Sequence, residues 1–173
     1  KDSFPVETFT TIEGVRLENA NGESCGGSLI NTFAHSCNTV FAPLGAEVGG
    51  EKLVSTAEKF GFNSPPQIYD EEATAVIDPP QSTIPPDISS DVEVGVSAIG
   101  QGEVLATPLD LASVAQTIAN GGTRTPTPIT NDRDYAPKDK PVEVTSKEIA
   151  STVRDLMVEV VENGTGEPAD ISE

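Results

Sequence analysis

Three proline pairs, Pro65-Pro66, Pro79-Pro80 and Pro85-Pro86, crowd into one stretch of this chain. Each ring removes a backbone donor and pushes the preceding residue toward extended backbone, so no regular helix can run through them. Residues 63–90, acidic as well as proline-rich, therefore read as one long irregular connection. Any helices must lie on either side of it. Connections of this length are uncommon and often border functional clefts; a plain solvated link is the alternative. A second Pro- and Asp-rich connection spans 122–144.

Helical spacing begins after Ser28, where Leu29, Ile30, Phe33 and Ala34 share a face. The small and polar Ser36-Cys37-Asn38 interrupts it, and Val40, Phe41 and Leu44 resume it as far as Gly49-Gly50. Asn38 is placed to cap the second run by accepting a free N–H. Pro43 predicts a kink there or a later start. Leu53, Val54, Ala57 and Phe60 predict a third helix over 51–60, closed by Gly61. A fourth covers 107–120, with Thr107 as cap, Pro108 first, Asp110 in the first turn, and a stripe of Leu111, Val114, Ala115 and Ile118. A fifth covers 145–163, opened by a Thr145/Glu148 capping box and lined by Ile149, Val153, Leu156, Met157 and Val160. The first 27 residues offer turn signals at Glu13-Gly14 and Asn21-Gly22, with short extended runs between them. The expected architecture is mainly helical, with no confident strand ladder.

Charge narrows the function. Ten Lys+Arg against 28 Asp+Glu leave a net −18. Such a field repels phosphate backbones and anionic lipid, which argues against general nucleic-acid binding. One His and two Cys, with no C-x-x-C and no H-E-x-x-H, supply no zinc-ligand pattern. No apolar run nears the ~20 residues of a membrane span, and no signal-peptide pattern opens the chain. Lys1 in first place and a polar tail ending at Glu173 lead us to expect a piece of a longer protein.

Two short segments could carry chemistry. In Ser36-Cys37-Asn38, a hydroxyl and a carboxamide one residue apart can face the same cleft from a tight turn between helices. The hydroxyl can pass a proton, and the amide can both donate and accept. Three letters alone are met easily by chance, and on these letters a helix break with a cap is the favoured reading. Gly100-Gln101-Gly102-Glu103 allows close backbone approach ahead of a capped helix, but it is not a G-x-G-x-x-G fingerprint. His35 adjoins Ser36, yet neighbouring side chains on a helix diverge and no G-x-S-x-G elbow is present. Cys25 and Cys37 could form a disulfide or remain two thiols.

Taken together, "AHSCNTVFAPLGAEVG", "EKLVSTAEKFGF" and "SAIGQGEVLATPLDLASVAQTIANGG" closely resemble the transpeptidase domain of penicillin-binding proteins, in order and in spacing. The resemblance covers nearly all of 1–173 and is firmest over 28–122. It implies the helical lobe of an α/β fold whose central sheet is mostly supplied from elsewhere. It also implies a serine acyl-enzyme chemistry built on Ser-x-x-Lys, Ser-x-Asn and Lys-Thr/Ser-Gly elements. By resemblance, Ser36 and Asn38 are the catalytic residues of the second element, with Cys37, Gly100, Gln101 and Gly102 as substrate-cleft candidates. No Ser-x-x-Lys and no Lys-Thr/Ser-Gly occurs in the sequence. The nucleophile is therefore expected outside this chain, and the chain alone is expected to be inactive. The implied ligands are peptidoglycan stem peptides and β-lactams, with no cofactor, no metal and no nucleic acid. The implied location is extracytoplasmic, on the bacterial cell membrane through a segment outside this chain. Helix faces left uncovered by the missing sheet are expected to promote self-association. Two other readings remain. One is a non-catalytic scaffold module derived from the same domain. The other is a serine β-lactamase or penicillin-sensor relative, against which "GQGEVLATPL" argues.

Overall fold

The computed structural model describes residues 3–66, 68, 79–128, 134, 137–138 and 140–171. Residues 67, 69–78, 129–133, 135–136 and 139, within the two long connections, lie outside the described residues. The chain forms two units, one from Lys1–Leu53, Pro86–Gly102 and Thr152–Glu173, the other from Val54–Pro85 and Glu103–Ser151. In chain order the elements are β1 (Phe4–Glu7), β2 (Phe9–Ile12), β3 (Val15–Glu18), β4 (Cys25–Gly27), α1 (Leu29–Ala34), α2 (Asn38–Val48), α3 (Gly50–Phe60), α4 (Asp91–Ala98), α5 (Pro108–Ala119), β5 (Thr123–Arg124), β6 (Val142–Glu143) and α6 (Lys147–Asn163). Helices dominate, and the strands are short. None of the described helices is long and apolar enough to cross a membrane.

In the first unit, β2 and β3 pair antiparallel, with Ile12 opposite Val15. The two-residue turn between them uses the expected Glu13-Gly14, both at positive φ, which matches the twist of a hairpin. Strand β1 pairs antiparallel with β4. A 3-10 turn over Ala20–Gly22 realises the Asn21-Gly22 signal. Helices α2 and α4 pack closely because Gly45 and Gly95 face their partners across the contact. A Cβ on Gly45 would overlap Ala98, and one on Gly95 would press on the Ala42 carbonyl.

Helix α4 had no counterpart among the expected helices. Its start is nonetheless written in the sequence: the Ser90 hydroxyl accepts from Glu93 N–H, and the Glu93 carboxylate accepts from Ser90 N–H. This reciprocal box satisfies two otherwise orphaned donors. Three other local expectations need correction. Asn38 does not cap α2; it is the first helical residue, and Cys37 holds the cap position without a side-chain bond. Of the two outcomes expected at Pro43, the later start does not occur: the helix begins at Asn38 and Pro43 sits inside it. Its missing N–H leaves the Thr39 carbonyl without its usual helical donor. The fifth predicted helix begins at Lys147 rather than Thr145, and the Ser146 hydroxyl accepts from Ile149 N–H. The Glu148 carboxylate, bonded to its own N–H and to Ser146, lies below the usual carboxylate range.

The second unit shows how an irregular segment is held. Asp110 is buried at 4% exposure, as is Ser82 at 0%. The Asp110 carboxylate accepts from Ser82 N–H at 2.9 Å, Ser82 Oγ at 2.6 Å and Thr107 Oγ1 at 3.1 Å. Ser82 Oγ in turn accepts from Thr107 N–H. The capping arrangement at the start of α5 thus extends through a residue of the proline-rich connection. Asn63 N–H donates to the Ser82 carbonyl, and Ile84 N–H to Asn63 Oδ1. Burial of Asp110 also rotates α5 from the predicted stripe. Thr117 and Ile118 are buried with Asp110, while Leu111 is 54% exposed. On α6, Leu156 is buried as expected, but Ile149 and Met157 face outward.

Candidate active site

The Ser36-Cys37-Asn38 turn links α1 to α2. Helix α1 is opened by Ser28, whose hydroxyl accepts from Asn31 N–H. It closes with two reversed bonds, Ser36 N–H to the Phe33 carbonyl and Cys37 N–H to the Thr32 carbonyl. This is a Schellman exit, which places the residue after the cap in the left-handed region and usually selects glycine. Here that residue is Ser36, at φ 54°. Helix α4 exits in the same way, with Gly100 N–H on Ser97 O and Gln101 N–H on Val96 O, and there the left-handed residue is Gly100 at φ 71°. A left-handed side chain costs about 1–2 kcal/mol. One exit avoids that strain and the other keeps a hydroxyl at the strained position.

The turn is fastened from several directions. Cys25 of β4 and Cys37 form a disulfide with Cα atoms 5.5 Å apart. This settles the alternative that the sequence left open. Cys37 is fully buried with Cys25 and Val40, against Phe4, Phe41 and Leu44. It is a structural staple rather than a residue facing a cleft, which corrects its place among the cleft candidates. A cross-link closing so short a loop stabilises the fold by about 3 kcal/mol in chain-entropy terms. Phe33 of α1 and Phe41 of α2 meet edge to face, with centroids 5.8 Å apart. Asn38 Nδ2 donates to the Glu18 carbonyl at the end of β3, at 2.9 Å. Because Cys37 at the cap position offers no side-chain acceptor, α2 is capped from a distance. Asn19 Oδ1 accepts from Thr39 N–H at 3.0 Å, while Asn19 Nδ2 donates to the carbonyls of Glu7 and Glu23. Asn19 is only 6% exposed, and its role carries no local sequence signal.

What remains available at the turn is chemically specific. Ser36 is exposed and Asn38 half-buried. An amide offers two donors and an acceptor oxygen. Among the described residues one Asn38 hydrogen is spent on Glu18, and the amide oxygen and second hydrogen hold no other bond. The His35 ring turns back to the Asn31 carbonyl at 3.0 Å, so it does not serve Ser36. Gly100, Gln101 and Gly102 lie at the exit of α4, all exposed. Among the described residues no hydrogen bond joins them to the Ser36 turn, and Gly100 is accounted for by the helix exit alone. In the second unit, Pro65, Pro66 and Ile68 of the long connection line a hollow of about 340 Å³ with Gly61, Arg124 and Lys140. It contains neither Ser36 nor Asn38.

The family of the chain follows from comparison with known proteins. The family described as "Penicillin binding protein transpeptidase domain" matches residues 2–172. This chain belongs to that family. Among curated relatives of the penicillin-binding domain, it is similar to the peptidoglycan D,D-transpeptidase PbpA of Mycobacterium tuberculosis. The two are 40% identical over 111 residues, which is 62% of this chain and 21% of the relative. It is also 30% identical to stage V sporulation protein D of Bacillus subtilis, over 98% of this chain and 27% of that protein. The chain therefore spans about a fifth to a quarter of the length of these relatives. Among solved structures, penicillin-binding protein A of M. tuberculosis, as its imipenem acyl-enzyme complex, superposes with a TM-score of 0.76. That superposition has 30% identity and covers 92% of this chain and 38% of that one. The expected fold, the helical lobe of the transpeptidase domain, stands.

Proposed function

We propose that the protein carrying this chain is a peptidoglycan D,D-transpeptidase that reacts with β-lactams, and that Ser36 and Asn38 form one wall of its active site. The observation that carries the reading is the left-handed Ser36, held in a glycine position beside an amide with an unspent oxygen and hydrogen. Family membership supplies the reaction class. A serine outside these 173 residues attacks the penultimate D-Ala carbonyl; its ester forms as the amide C–N bond breaks. The Ser36 hydroxyl passes a proton toward the departing amine, and Asn38 holds the lysine partner and the donor peptide amide. An acceptor amine then takes the acyl group, which completes the cross-link. The Cys25–Cys37 disulfide supports an extracytoplasmic location, because such bonds persist in oxidising compartments.

The test is fluorescent penicillin. The full-length protein is expected to take up a covalent label that survives denaturation and is blocked by prior unlabelled penicillin. A full-length protein that takes up no label overturns the reading.

A further inference from the structure

The Ser36 turn has a buttress from the far end of the chain. Thr165 N–H donates to the Ala34 carbonyl at 3.0 Å, and Thr165 Oγ1 approaches the same oxygen at 3.4 Å. Ala34 is the last residue of α1, two positions before Ser36, and it is only 1% exposed. Gly164 lies flat against it: a Cβ there would overlap the Ala34 carbonyl oxygen. Gly164 is not in the left-handed region, so space rather than backbone angle excludes a side chain. The contact bridges 131 residues of sequence, from the end of α6 to the end of α1.

We infer that Gly164 and Thr165 are positioning residues for Ser36: the end of α6 clamps the Ala34 carbonyl and so sets where the Ser36 hydroxyl stands. A carbonyl at a helix exit needs a donor, and the α1 exit turns its own two reversed bonds onto Phe33 and Thr32. The Ala34 oxygen is left for Thr165. Any residue larger than glycine at 164 must push Ala34 away, and a shift there passes through one intervening residue to the strained Ser36. The inference rests on the reading of Ser36 as a proton relay.

The experiment is a double-mutant cycle on the full-length protein, read as the rate of acylation by fluorescent penicillin per folded molecule. Gly164→Ala is expected to slow acylation about tenfold or more, since a misplacement of about 1 Å can cost about 10²-fold and the shift reaches Ser36 only in part. Combined with Ser36→Ala, it is expected to slow the reaction no further than Ser36→Ala alone, because both changes remove the same relay. Gly122→Ala is the control. It forces a similar overlap, with the Thr145 carbonyl in the other unit, at a positive φ. It is expected to lower stability without changing the rate of the folded fraction.

Losses of Gly164→Ala and Ser36→Ala that multiply, or an equal slowing by Gly122→Ala, would show general damage and overturn the inference. If Gly164→Ala does not fold, Thr165→Ala carries the test, with about a two- to fivefold loss that Thr165→Ser restores; an unchanged rate would overturn it. A wild type that fails to react with penicillin, or reacts unaffected by Ser36→Ala, overturns the functional reading first and the inference with it. A reactive, Ser36-dependent wild type with an unaffected Gly164→Ala overturns the inference alone.

Discussion

Ser36→Ala in the full-length protein is expected to slow acylation by penicillin about 10²-fold or more, the contribution typical of a positioned proton-transfer group. That corresponds to about 2.7 kcal/mol of transition-state stabilisation. The fold should tolerate the change, since Ser36 is exposed and its hydroxyl holds no structural bond among the described residues. Ser36→Gly separates the two demands on this position. It removes the hydroxyl and should slow acylation as much. It also relieves the left-handed strain at φ 54° and should raise stability by about 0.5–1 kcal/mol. Stopped-flow acylation and urea unfolding of both variants measure these effects. A Ser36→Gly protein that is less stable than wild type, or a Ser36→Ala protein that acylates at the wild-type rate, would contradict the account of the turn.

The second large effect concerns stability. Asp110→Ala is expected to destabilise the protein by about 3–4 kcal/mol, because it orphans the buried Ser82 N–H and hydroxyl donors at once. Asp110→Asn, which keeps an acceptor oxygen but loses the charge, should lose only about 1–2 kcal/mol. The mechanism lies in buried hydrogen bonds rather than in helix electrostatics. Asp110 at the third position of a helix is favourable to the N-terminal dipole, but an exposed carboxylate there contributes only about 0.3–1 kcal/mol. Denaturant midpoints of the two variants discriminate. A loss below 1 kcal/mol for Asp110→Ala would mean that Ser82 finds other partners and that the proline-rich connection is not anchored there.

These two sites show what could be read in advance. Helices α1, α2, α3, α5 and α6 were legible because stripes agree with caps or glycine stops within one short window. Helix α4 had a capping box as clear as any, Ser90 with Glu93, but its eight residues follow directly on a proline-rich run and are too few to show a long apolar stripe. Strands β1 to β4 were not legible, because each spans three or four residues and β1 pairs with β4 across the β2–β3 hairpin. The expectation of Asn38 as a cap failed because the helix starts one residue earlier than expected, at Asn38 itself, whose side chain bonds Glu18, twenty residues upstream. Ser82 on Asp110, Asn19 on Thr39 and Thr165 on Ala34 are all long-range bonds of this kind, for which local pattern has no signature. The Ser-x-Asn letters were equally weak alone. Their reading came from the neighbouring segments; the left-handed conformation of Ser36 is a property no sequence displays.

The most direct test of the account maps the covalent adduct. Full-length protein is treated with penicillin, digested, and the modified residue located by mass spectrometry. The expected result is one adduct on a serine outside Lys1–Glu173, followed three residues later by lysine, with Ser36 unmodified. An adduct on Ser36, or on any other residue of these 173, would contradict the assignment of Ser36 as a relay rather than a nucleophile.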